Sequence, residues 1–192
     1  MKGLKKIFIL PLLALVCLAS CEETEEVGEF DNWEARNAQF VDSIAKVARA
    51  NADGTWKCIL DVRLNPDTVW SVNDYVYCQV IEEGTGTSHP VYTDSVRVNY
   101  RGRLMPSYPS YPEGYQFDSS FQGELNPAFN VPATFLLSST VPGFYTAVQQ
   151  MTDGDLWKVY IPNKLGYGAS GSTGVPAYST LVFDINLGSV SR

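Results

Sequence analysis

VPGFYTAVQQMTDGDLWKVYIP, from Val141 to Pro162, continues through NKLGYG (163–168) to VPAYSTLVF (175–183), and its reading decides the fold. Pro142 suits the first turn of a helix, where its missing N–H would have no intrahelical partner anyway. A short helix is predicted over Val141 to Met151. Asp153-Gly154-Asp155 then turns the chain back. Leu156 to Ile161 reads as an apolar strand, and a Gly-rich loop leads to a last strand over Thr180 to Leu187. Aromatic residues fall at the ends of these elements, where a pocket can open.

Working outward, the preceding chain supplies more strands. Asp74 to Ile81 is β-prone, and Ser95-Val-Arg-Val-Asn-Tyr-Arg-Gly102 alternates as a half-buried strand should. Phe117-Asp-Ser-Ser120 ends another, and Pro132 to Leu137 is a further candidate. Antiparallel strands with one clear short helix give an α+β class, with the helix packed on one face of the sheet.

Seven motifs occur in order: VRVNYRG (96–102), FDSS (117–120), VPGF (141–144), QMTDGD (150–155), YIP (160–162), GYG (166–168) and TLVFD (180–184). Together they resemble the FKBP type of peptidyl-prolyl cis-trans isomerase over the whole of 73–192. The resemblance implies a curved antiparallel sheet wrapped around one short α-helix, with an aromatic pocket between them. It implies rotation of X-Pro bonds in exported proteins, without covalent chemistry or cofactor. Proline-containing polypeptides would be the substrates and macrolides the inhibitors. On this resemblance Asp118, Tyr167 and Phe144 carry the catalytic roles: Phe144 as pocket floor, Tyr167 as a hydroxyl donor to a substrate carbonyl, Asp118 at the rim. Tyr100, Phe117, Val141 and Phe183 complete the walls, and Val175 offers a backbone N–H to substrate. The residues themselves supply no nucleophile–base pair, because the only histidine, His89, sits before Pro90 in a polar turn. Three departures stand out: Phe144 where the family often has Trp, Ala133 where many members have an aromatic wall, and an inserted Tyr/Pro-rich segment at 105–116. That segment reads either as a stiff surface loop or as a lip beside Phe117 and Asp118. An open wall would favour the alternative of a proline-recognising binding module or chaperone with little isomerase activity.

The N-terminal part has its own logic. Residues 1–20 have a basic start and an apolar run from Ile7 to Leu18, the plan of a secretory signal, and Pro11 and the short run argue against a membrane span. Leu18-Ala-Ser-Cys21 resembles the bacterial lipobox, which implies lipidation at Cys21 and anchoring in the cell envelope, at the outer membrane, on either its periplasmic or its surface face. Ordinary signal cleavage with a free Cys21 is the other reading. Residues 21–29 form an acidic tether, with Glu22, Glu23, Glu25 and Glu26. Residues 30–72 read as a helical extension. Asp31 with Glu34 predicts a capping box, Trp33, Phe40, Val41, Ile44, Val47 and Ala48 predict the buried stripe, and Asn51-Ala-Asp-Gly54 predicts the stop, with Gly54 suited to a left-handed cap. The helix packs on its own domain, or serves dimerisation or substrate grip. Thr55 to Asp61 is β-prone. Cys58 and Cys78 are either a disulfide or two free thiols, and their spacing is not that of a metal site.

The formal charge is -7, and removing the three leader lysines takes it to -10. An acidic surface repels phosphate backbones, so nucleic acid is not an expected partner.

Overall fold

The computed structural model describes residues 28–191. The signal, Cys21 and the acidic run up to Glu26 lie outside the described residues. Helix α1 (Trp33–Ala50) is followed by strands β1 (Trp56–Leu60), β2 (Tyr75–Glu82), β3 (Ser95–Leu104), β4 (Gln116–Ser119) and β5 (Ala133–Leu136). Helix α2 (Pro142–Val148) and strands β6 (Leu156–Ile161) and β7 (Leu181–Ser191) complete the order.

All seven strands form one antiparallel sheet in the order β1-β2-β6-β7-β3-β4, with β5 also paired to β3. The long strand β3 is its spine. It pairs with β7 along its whole length, from Ser95 opposite Ser191 to Leu104 opposite Leu181. On its other edge it pairs with β5 near its start and with β4 near its end. Bulges at Arg97/Val98, Gly102/Arg103 and Val80/Glu82 break the register. A bulge adds local twist and bend, and here the bends curl the sheet around α2.

Helix α2 ends three residues earlier than the sequence predicts. Six of its seven residues are buried, from Gly143 to Val148. A helix apolar all round belongs inside a core. Gly143 lets it sit close to the sheet: a Cβ there would lie 2.2 Å from Cγ2 of Ile161 on β6. Val96, Val98, Val159, Ile161, Leu181, Ile185 and Leu187 form the opposing layer, all fully buried.

Helix α1 ends where Asn51 to Gly54 predict, but its capping residues differ from expectation. Asn32 stands at its start in the left-handed region (φ 52°) with no side-chain cap, and Asp31 instead accepts the Gly28 N–H at 2.7 Å. At the other end Asn51 (φ 43°), not Gly54, is the capping residue. Asn enters that region because its short amide can bond locally. The buried stripe is Trp33, Asn37, Val41, Ala45 and Ala48, while Val47 is exposed. Asn37 is buried with both ends of its amide bonded: it donates to Trp33 O at 2.8 Å and accepts the Thr180 N–H at 2.7 Å.

Strand β1 pairs with β2 and so joins the main sheet. Its register places Cys58 opposite Tyr77 and Cys78 opposite Lys57. Offset by one residue, the two side chains point to opposite faces, and both thiols are free, one exposed and one buried. Burial pushes the Cys78 thiol up.

Candidate active site

A cavity of about 210 Å³ opens where β3, β4, β5 and β7 face the start of α2. Tyr100, Phe117, Asp118, Val141, Phe144, Tyr167 and Phe183 all line it. Strand alternation delivers Tyr100 from β3, Phe117 from β4 and Phe183 from β7. Val141, in the extended conformation that precedes α2, sets Phe144 at the helix start as the floor.

The rings pack edge to face. Phe144 and Phe183 have centroids 5.5 Å apart at 79°, and Phe117 and Phe183 are 5.6 Å apart at 89°. Such pairs contribute about 0.5–1.5 kcal/mol beyond their buried area, so the rings brace one another. Gly102 makes it possible. It lies opposite Phe183 in the β3–β7 register, and a Cβ on it would meet Phe117 Cζ at 2.6 Å and Phe183 Cε1 at 2.7 Å. A glycine inside an alternating strand signals such a close approach, and this was the readable mark of Gly102 as a site-shaping residue.

Ala133 leaves no gap. Phe135, two residues on and therefore on the same strand face, lines the cavity and stacks edge to face on both Tyr100 (5.3 Å) and Phe144 (6.0 Å). The aromatic wall on this strand is supplied one side-chain period beyond Ala133. That offset hides Phe135 from a motif read by position.

The expectation for Val175 needs correction. It lies outside this cavity, is 4% exposed, and its N–H donates to Ser172 O at 2.9 Å while its carbonyl accepts the Ser172 N–H at 2.8 Å. A tight turn through Gly174 (φ 75°) consumes the N–H locally, so it is not free for a ligand carbonyl.

Asp118 is at the rim. Its carboxylate accepts the Tyr100 hydroxyl at 2.6 Å and the Ser119 N–H at 2.8 Å. Burial raises the Tyr100 hydroxyl above its ordinary range, and the adjacent Asp118 raises it further. Tyr100 therefore stays a proton donor at neutral pH and fixes the carboxylate in place. Tyr167 stands in the turn between Gly166 and Gly168, 37% exposed, on the opposite rim. Burial raises its hydroxyl pKa, and the negative Asp118 adds to the shift. The site thus offers an apolar, aromatic interior with one fixed carboxylate and one tyrosine hydroxyl at its mouth.

Residues 86–188 match the family model of the FKBP-type peptidyl-prolyl cis-trans isomerases. The chain belongs to this family. It is 34% identical over 137 residues to the peptidyl-prolyl cis-trans isomerase Mip of Coxiella burnetii, covering 71% of this chain and 54% of the relative. It is 39% identical over 115 residues to the FKBP-type isomerase FkpA of Aeromonas hydrophila, covering 59% and 37%. The chain therefore spans about half or less of the length of these relatives. The crystal structure of FkpA from Escherichia coli superposes with a TM-score of 0.58 at 29% identity, over 83% of this chain and 59% of that one. A crystal structure of a peptidyl-prolyl cis-trans isomerase from Pseudomonas syringae pv. tomato gives 0.58 at 26%, over 82% and 96%. These structural matches extend beyond the FKBP core of residues 86–188. The antiparallel sheet curled on one short helix is the fold that the motifs imply.

Proposed function

We propose that the chain catalyses cis–trans rotation of X-Pro bonds in polypeptides that fold after export. The observation that carries this reading is the aromatic cage with its hydroxyl and carboxylate rim.

Rotation must break amide resonance, a barrier of about 18–20 kcal/mol. No bond to a side chain is needed. As the amide twists, its nitrogen lone pair leaves conjugation and the carbonyl oxygen loses negative charge. Water stabilises the planar, more polar ground state better, so a dry apolar pocket favours the twisted form in relative terms. The prolyl ring would sit over Phe144 between Phe117, Phe135 and Phe183. Tyr167 would donate to a substrate carbonyl and hold the residue before proline while the ring side turns. Asp118, held by Tyr100, would fix the polar rim and orient the hydroxyl of the Tyr100 wall. Val141 would close the cavity beside the floor. A binding module with little catalysis would follow from an open wall at Ala133, and Phe135 removes that reason.

We further propose a lipid on Cys21 and residence at the outer membrane of the cell envelope, supported by the lipobox-like Leu18 to Cys21. Metabolic labelling with palmitate should mark the wild type and not Cys21→Ala. Macrolides should compete for the cavity.

The function is tested by direct isomerisation of an X-Pro peptide followed by NMR exchange, with and without a macrolide. A folded protein giving no rate above background refutes it. Tyr167→Phe should lower kcat/KM about tenfold, the loss of about 1.4 kcal/mol of transition-state stabilisation.

A further inference from the structure

A second depression, about 450 Å³ and so larger than the proline cavity, lies beside it. Three separate segments build it: Glu29 and Phe30 ahead of α1, Tyr111 and Tyr115 from the inserted segment, and the turn around Gly174 and Pro176. We propose that this groove is an extended subsite that binds apolar or aromatic residues flanking the isomerised proline. The proposal rests on reading the neighbouring cavity as an X-Pro site.

The inserted segment is built to present a surface. Ser107 and Tyr111 exchange backbone hydrogen bonds at 2.8 and 2.7 Å, and the Leu104 N–H donates to Tyr115 O at 2.9 Å. Tyr111 and Tyr115 stack edge to face at 5.2 Å. Arg36 of α1 ties the other two sides to it. Its guanidinium donates to Glu29 O at 2.7 Å and to Ser107 Oγ at 3.1 Å, and it lies 5.5 Å over the Trp33 ring. Trp33 in turn donates to Ser179 Oγ at 2.9 Å, beside the third segment.

The groove adjoins the cavity across Phe117. Tyr115 is two residues before Phe117 on the same segment, and Phe117 lines the proline cavity. Across from it, a Cβ on Gly174 would lie 3.9 Å from Phe117 Cβ. A polypeptide with its proline on Phe144 that runs past Phe117 would reach this groove. Its walls fix the chemistry. Phe30 is 50% exposed and Tyr115 is 41% exposed, so aromatic surface stands uncovered. Glu29 is the sole charged residue among those lining it, which disfavours acidic flanks. Exposed aromatics placed together on a rigid frame mark a binding surface.

The test compares the full-length wild type with the double variant Phe30→Ala, Tyr111→Ala. Each is assayed on a short X-Pro peptide and on long peptides of the same centre, flanked by Phe and Leu or by Ser and Gly. The wild type should prefer the Phe/Leu-flanked peptide by about tenfold in kcat/KM, equivalent to about 1.4 kcal/mol, chiefly through KM. The double variant should lose that preference and keep the rate on the short peptide. An unchanged preference in the variant, or none in the wild type, overturns the subsite. If the wild type fails to isomerise even the short peptide, the reading of the cavity fails instead. Anisotropy of the labelled Phe/Leu-flanked peptide then decides the groove by itself: binding lost in the double variant supports it, and no binding by the wild type overturns it. Affinity that rises when the residues before Gly28 are deleted identifies the chain's own upstream segment as occupant and also overturns it.

Discussion

Replacing Gly102 by Ala probes how the fold makes the pocket. The added Cβ would stand 2.6 Å from Phe117 Cζ, 2.8 Å from Phe117 Cε2 and 2.7 Å from Phe183 Cε1. Carbon–carbon contacts relax near about 3.5–4.0 Å, so the rings or the strand must move by about 1 Å. Strand β3 cannot retreat, because Gly102 is paired to Phe183 on one side and to Asp118 on the other. The two rings are also braced on each other, and Phe183 is braced on Phe144. Movement is open only toward the cavity. Overpacking of this kind costs about 1–3 kcal/mol, which for a chain of this size lowers Tm by about 3–9 °C. The catalytic loss should be larger than that stability loss explains. A misplacement of about 1 Å around a reacting group costs about a hundredfold in rate.

The matched control is Gly84→Ala, whose Cβ would lie 2.3 Å from the Asp153 carbonyl in a turn away from the cavity. Thermal unfolding and X-Pro isomerisation are measured on both. Both variants should lose stability, and Gly102→Ala alone should lose most of its kcat/KM. Equal kcat/KM in the two variants, or wild-type kcat/KM in Gly102→Ala, would falsify the view that this glycine shapes the pocket.

Other perturbations separate the remaining parts. Tyr100→Phe removes the hydroxyl that Asp118 accepts at 2.6 Å and keeps the ring. Water can replace it at the exposed carboxylate, so stability should fall by only about 1 kcal/mol, while isomerisation falls further as the rim loosens. Asn37→Ala leaves the buried Thr180 N–H without its acceptor, a loss of about 1–3 kcal/mol, and hydrogen exchange at Thr180 should quicken before global unfolding does. Alkaline titration should destabilise the protein from about pH 10, the ordinary tyrosine value. Burial raises Tyr77 to about 12 and also raises Tyr100 and Tyr160 in the folded state. The unfolded chain therefore releases these protons first, and the stability present below that pH is lost as it rises. In acid the sign reverses. Burial opposes ionisation of Asp61 and Asp74, but hydrogen bonds from Arg63, and from Lys164 and Ser71, outweigh it and hold both below the ordinary value. Stability should fall as pH drops below about 4.

Much of the fold was legible because its signals are local. Val96, Val98 and Tyr100 alternate in sequence and are buried together in the structure, and Leu156 to Ile161 is a strand to the residue. What escaped depends on partners distant in sequence. Asn37 reads as a polar interruption of an apolar stripe until Thr180 is placed beside it. Val175 carries a plausible donor until the turn at Gly174 consumes it. Phe135 looks like one more strand aromatic until the register of β5 on β3 turns it into the cavity. The caps of α1, though not where it stops, escaped because Asn32 and Asn51 act through backbone conformation, whereas Asp31 and Gly54 advertise side-chain and glycine caps.

The Tyr100–Asp118 pair bears on what kind of catalyst this pocket can be. A general acid or base needs a pKa near the working pH. Tyr100 is moved away from neutrality by burial and by Asp118, and Tyr167 is moved in the same direction. Both hydroxyls therefore keep their protons at pH 7 and act as donors, Tyr100 oriented on Asp118. That suits a reaction in which no proton moves and only the charge distribution of one amide changes. The same logic locates selectivity. The cavity of about 210 Å³ takes the prolyl ring, and the groove proposed above, beside Tyr111 and Tyr115, is where preference among flanking residues would arise. An isomerase limited by this cavity alone would treat all flanking sequences alike. One that uses the groove would show its discrimination in KM and leave kcat, set by the aromatic cage, nearly constant across substrates.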